Sequence, residues 1–260
     1  MEEKIPKIYQ GVIAFLICFL FLRFVAPFIS YYSPLFTLIS IQLMMGIIAF
    51  GSAYIFKVDF GTAFPFKLPR IRHVFGAIFL YAGVYLLTLN VSMVMSKLFP
   101  DMIQTIEEIT FMSELMPNMF VAVILMAIFP AVFEELIMRG FILSTFSNFN
   151  EIIASVSVGA MFGILHFDVY RFVPTALLGT VSAYVTIRSK TLILPIAYHF
   201  FNNLMSVIAM YQLRGLEDID FTLELYNTPL ISFGMIFDLV MTMILCYIGI
   251  RLFTEKQFHN

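Results

Sequence analysis

Two adjacent carboxylates, Glu134 and Glu135, and one guanidinium, Arg139, stand in the stretch PAVFEELIMRG (130–140), within a long apolar run. Insertion scales put a charged residue at the centre of a membrane helix at roughly 2.5–3.5 kcal/mol, so a cluster of three calls for compensation or a function. Glu135 and Arg139 are four residues apart with the acid first, the favourable order for an i,i+4 ion pair. In apolar surroundings each neutralises the other. Glu134 points about 100° away from that pair and has no partner on its own helix. A carboxylate of that kind suits general-base work near neutral pH. The competing role for both acids is structural, as polar glue between helices.

Two of the four histidines share this apolar setting. His73 lies in a basic loop and His259 in the C-terminal tail. His166 closes the stretch FGILH, with Phe162 one turn earlier on the same face. His199 opens HFFNN, with Asn203 four residues on. Taken singly, an intramembrane His or Asn is explained by an interhelical hydrogen bond. Depth changes the weighing. At 1.5 Å per residue from one membrane face, Glu134 lies about 20 Å in, His166 about 22 Å, and His199 and Asn203 about 12–18 Å. A carboxylate, two imidazoles and a carboxamide at overlapping depths can activate a water and stabilise an oxyanion.

The elements that must carry these residues are membrane helices. The chain has 260 residues, 61% hydrophobic and 12% charged, against about 45–50% and about 25% in a soluble domain. It is expected to be an all-α polytopic membrane protein forming a single domain, 1–260, with its chemistry in 118–212. Apolar runs of spanning length predict eight helices, near 8–29, 34–56, 74–96, 118–147, 151–167, 172–188, 191–212 and 230–253. Pro130 predicts a kink one turn before the charged cluster. Residues 101–116, DMIQTIEEITFMSELM, predict an amphipathic interfacial helix.

Ten lysines and arginines fall on the side of the N-terminus, three on the opposite side, and Arg23 and Arg139 within helices. The opposite loops are acidic, so both termini are expected to be cytoplasmic. The first apolar run exceeds a signal-peptide core and lacks a small-residue cleavage site, which predicts a retained helix. Cys18 and Cys246 lie in apolar segments, where neither a disulfide framework nor a cysteine metal site is expected. Arg23 and Asp238, both near the outer ends of their helices, are expected to pair and join the first helix to the eighth, with snorkelling of Arg23 as the alternative. The acidic stretch 215–225 is read as a solvated loop. The bilayer is the expected environment, and no nucleic-acid partner is expected.

In order along three apolar helices stand E-E-x-x-x-R (Glu134, Glu135, Arg139), F-x-x-x-H (Phe162, His166) and H-x-x-x-N (His199, Asn203). Over roughly 118–212 the chain thereby resembles the CAAX protease and bacteriocin-processing (CPBP, or Abi) family of intramembrane endopeptidases. The resemblance implies that Glu134 acts as the base, working with His166 on the attacking water. It implies an oxyanion site at His199 and Asn203, and a supporting pair in Glu135 and Arg139. Gly140 matches the family's arginine–glycine ending. Met138 departs from it, standing where many members carry an aromatic residue, and is expected to affect packing or substrate fit. No cofactor is expected. The alternative is zinc held by Glu134, His166 and His199, although the sequence contains no H-E-x-x-H.

The implied substrate is a membrane-associated peptide or protein at a bacterial plasma membrane, in peptide maturation, signalling or bacteriocin self-immunity. A non-catalytic immunity or scaffold protein is the alternative of another class. A proton-coupled transporter ranks last, because no internal repeat is evident.

Overall fold

The computed structural model describes residues 6–99, 114–213 and 232–254. Helices occupy all eight expected places: α1 Ile8–Tyr32, α2 Pro34–Ile55, α3 Ile71–Leu98, α4 Met119–Ile142, α5 Glu151–Ile164, α6 Val169–Ser189, α7 Ile193–Leu213 and α8 Phe233–Thr254. Six of them, α1 to α4, α7 and α8, are long and apolar enough to cross a membrane. At 14 residues α5 is apolar but shorter. The 21 residues of α6 are long enough, but their Thr, Ser and Arg content lowers its hydropathy. The expected amphipathic helix falls mainly on residues outside the described ones, as does the acidic stretch 215–225.

Side-chain caps set several helix starts. Ser33 accepts from Phe36 N, with Pro34 at the first helical position of α2. Asn118 accepts from Val121 N, and Asn150 from Ile152 N. Asp168 accepts from both Tyr170 N and Arg171 N at the start of α6. In α4 the hydrogen bonding turns π-helical over Val123–Ile128, just before Pro130, and again over Leu136–Ile142. Pro130 has no N–H to donate, so the expected disturbance there takes the form of a change in helix type.

Within the bundle α4 is central. Ile137, Met138, Phe141 and Ile142 are fully enclosed, packed with residues of α1, α2 and α5. Met138 is therefore a packing residue. The hairpin of α5 and α6 closes on small residues. A Cβ on Gly159 would lie 2.2 Å from Thr180 Oγ1, and one on Gly179 would lie 3.0 Å from the Cα of Gly159. Such close backbones are available only to glycine. On the far flank α3 packs along α8 and also meets α6.

The expected Arg23–Asp238 pair does not form. Arg23 is exposed, its guanidinium 5.7 Å from the ring of neighbouring Phe24. Asp238 instead accepts from Asn90 Nδ2 at 3.4 Å. The reason is the helix arrangement: α8 lies against α3, whereas α1 lies against α2 and α4. His73, read as a loop residue, is buried at the start of α3 and stacks on Phe253.

Candidate active site

The Glu135–Arg139 pair forms as the spacing predicts, with Nη1 2.9 Å from Oε1 and both side chains 1% exposed. Arg139 does more than neutralise its partner. Its Nη2 donates to the Gly179 carbonyl of α6 at 3.3 Å, and the guanidinium lies 4.3 Å from the centroid of the Phe162 ring in α5. One arginine thus joins α4 to both arms of the hairpin. Glu135 also accepts from His199 Nδ1 at 2.9 Å through the same Oε1. That bond was not foreseen, and it makes Glu135 the residue that orients an imidazole of α7.

His166 is expected within the fifth helix, near 151–167. In the structure α5 ends at Ile164, and His166 sits in the turn before α6, where Phe167 takes a positive φ of 51°. The Leu165 C-cap, and the need to reverse direction before Asp168 caps α6, end the helix there. The ring Nδ1 lies 2.9 Å from the Phe162 carbonyl, which can only accept, so Nδ1 carries the proton. His199 Nδ1 faces a carboxylate and carries one for the same reason. Each neutral ring therefore has its free lone pair on Nε2. Phe162 stands between them, edge-on to both, with ring centroids at 4.8 Å from His166 and 5.9 Å from His199.

Glu134 has partners from two other helices. Gln42 Nε2 of α2 donates to Oε1 at 3.2 Å, and His199 Nε2 of α7 lies 3.8 Å from Oε2. Its side chain is 14% exposed against 1% for Glu135, so of the two acids Glu134 is the one that water can meet. Asn203 Oδ1 accepts from Asn202 Nδ2 at 3.3 Å, which leaves the Asn203 amide N–H groups free to donate. Gln42 and Asn202 were not singled out from the sequence. Gln42 carried a usable signal, as a polar side chain in an apolar spanning run.

A cavity of about 280 Å³ collects most of these groups. His166, His199, Asn203, Glu135 and Arg139 line it, with Asn202, Ser182 and Tyr198 beside them. Glu134 does not line it, and meets it only by way of His199. The free Nε2 atoms suit proton transfer and zinc ligation equally well. Among the described residues no three His, Cys, Asp or Glu side chains stand close enough to share one metal ion.

A helical bundle with six helices long and apolar enough to cross a membrane, closing on a buried ion pair, two anchored imidazoles and a carboxamide around one cavity, is an integral membrane protein with side chains suited to acid–base chemistry. Residues 116–205 match the family model described as type II CAAX prenyl endopeptidase Rce1-like, so this part of the chain is similar to that family. The matched range contains all six residues singled out from the sequence, from Glu134 to Asn203. No curated protein and no solved structure matches the chain.

Proposed function

We propose that this protein is an intramembrane endopeptidase that hydrolyses a peptide bond of a membrane-associated peptide or protein. The observation that carries the reading is the convergence of His166, His199, Asn203 and the Glu135–Arg139 pair on one buried cavity, with Glu134 behind His199. Glu134, oriented by Gln42, takes a proton from water, and His166 Nε2 helps to position that water. The water oxygen bonds to the scissile carbonyl carbon. The resulting oxyanion accepts from an amide N–H of Asn203. His199 Nε2, on the cavity side of the same ring that Glu135 orients through Nδ1, supplies the second contact to that oxygen when it carries a proton. The C–N bond then breaks, the proton held by Glu134 passes to the departing nitrogen, and a carboxylic acid and an amine remain, which exchange a proton to give carboxylate and ammonium. No step in this scheme requires a metal. The lysine and arginine distribution supports termini on the cytoplasmic side.

Quantitative peptidomics of cells carrying wild-type protein, Glu134→Gln or His166→Ala tests the proposal. One precursor is expected to accumulate in both variants. Peptide patterns and phenotype unchanged by both substitutions would leave the non-catalytic scaffold or immunity role standing instead.

A further inference from the structure

Behind Arg139, away from the catalytic cavity, lies a second and larger cavity of about 620 Å³. Its lining comes from one end of the bundle: the α2–α3 connection, the end of α4, the start of α5 and the end of α6. This is the end rich in lysine and arginine. The walls are largely apolar, including Leu143, Phe146, Phe149 and Ile187, whereas Lys67 and Lys190 stand exposed in the lining.

The charges are not balanced. Asp59 caps a short helix, accepting from Thr62 N at 2.7 Å, and keeps its charge, whereas Glu151 is paired with Arg188. Lys67 and Lys190 make no ion pair among the described residues. An apolar chamber with two ammonium groups against one unpaired carboxylate, at the lysine- and arginine-rich end of the bundle, carries excess positive charge and is complementary to an anionic amphiphile.

We propose that this cavity is a binding site for an anionic phospholipid, its phosphate held by Lys67 and Lys190 and part of an acyl chain lying against Leu143, Phe146 and Phe149. Arg139 lines both cavities, but the two lysines take no part in the peptidase chemistry, and the test needs no substrate. The chain contains no tryptophan, and Phe149 is 45% exposed in the cavity lining, so Phe149→Trp introduces a single fluorophore there.

The full chain carrying Phe149→Trp is reconstituted in phosphatidylcholine vesicles containing small fractions of chain-brominated phosphatidylglycerol or chain-brominated phosphatidylcholine. The anionic lipid is expected to quench the indole with a relative affinity at least roughly fivefold higher, the factor expected of one lysine beside a headgroup whose negative charge no choline offsets. Lys67→Gln with Lys190→Gln should abolish the preference, and Lys57→Glu, outside the cavity, should leave it unchanged. Equal quenching by the two lipids overturns the proposal. So does an equal loss of preference with Lys57→Glu, which would mean general surface attraction. Loss of quenching on adding inorganic phosphate would overturn it in favour of a free-anion site.

Discussion

Arg139→Met probes the junction on which the site rests. The Glu135–Arg139 pair is enclosed, with both side chains 1% exposed, so removing the cation leaves a buried carboxylate supported only by His199. Losing one partner of such a pair costs about 3–5 kcal/mol. For a chain of this size that corresponds to roughly 6–20 °C in apparent Tm. The double variant Glu135→Leu/Arg139→Met removes both charges and should be less damaged than Arg139→Met alone. Its expected loss is about 1–3 kcal/mol, chiefly for the His199 Nδ1–H left without its acceptor. Activity should not follow stability, because the double variant frees the His199 ring and is expected to be as inactive as the single one. Cys18 is buried and Cys246 partly so, which lets a thiol-reactive fluorophore follow thermal unfolding in detergent. An Arg139→Met protein as stable as wild type, or a double variant at least as unstable as the single one, would refute this electrostatic account.

Glu134→Gln should lower the rate of peptide cleavage by about 10²–10⁴-fold, the usual contribution of a general base, with Tm nearly unchanged. Gln42→Leu removes the donor to Glu134 and should reduce cleavage while the protein stays folded; full activity would exclude Gln42 as a positioning residue. Gly159→Ala puts a methyl group 2.2 Å from Thr180 Oγ1, and the strain between α5 and α6 should cost about 1–3 kcal/mol in a thermal melt. Metal analysis of purified protein should find zinc well below one equivalent and cleavage unaffected by chelators; one equivalent of zinc, with activity lost on chelation and restored by zinc, would overturn the metal-free scheme.

Much of this protein was determined by local features of the sequence. Hydropathy located helices at the eight expected places, and for the six that are long and apolar enough to span a membrane the reason is that such a helix satisfies its own backbone and needs only sufficient apolar length. The i,i+4 spacing of Glu135 and Arg139 was enough to pair them, since a single helix fixes that geometry. The spacing between His199 and Asn203 put both on one face of α7 for the same reason. Where helices had to be placed beside one another, sequence spacing carried no such information. Depth counting suggested that Arg23 and Asp238 could meet, but two side chains at equal depth can lie on opposite flanks of a bundle, and these do. The apolar pattern puts His166 inside a helix, whereas the turn into α6 carries it.

The tertiary structure decided that Glu135 would serve His199 as well as Arg139, and that Gln42 would supply a donor to Glu134. It also set Phe162 between both imidazoles and Arg139. These contacts depend on how helices rotate and cross, which follows from the packing of Gly159 against Gly179 and of α4 inside its neighbours. No periodicity along the chain encodes them.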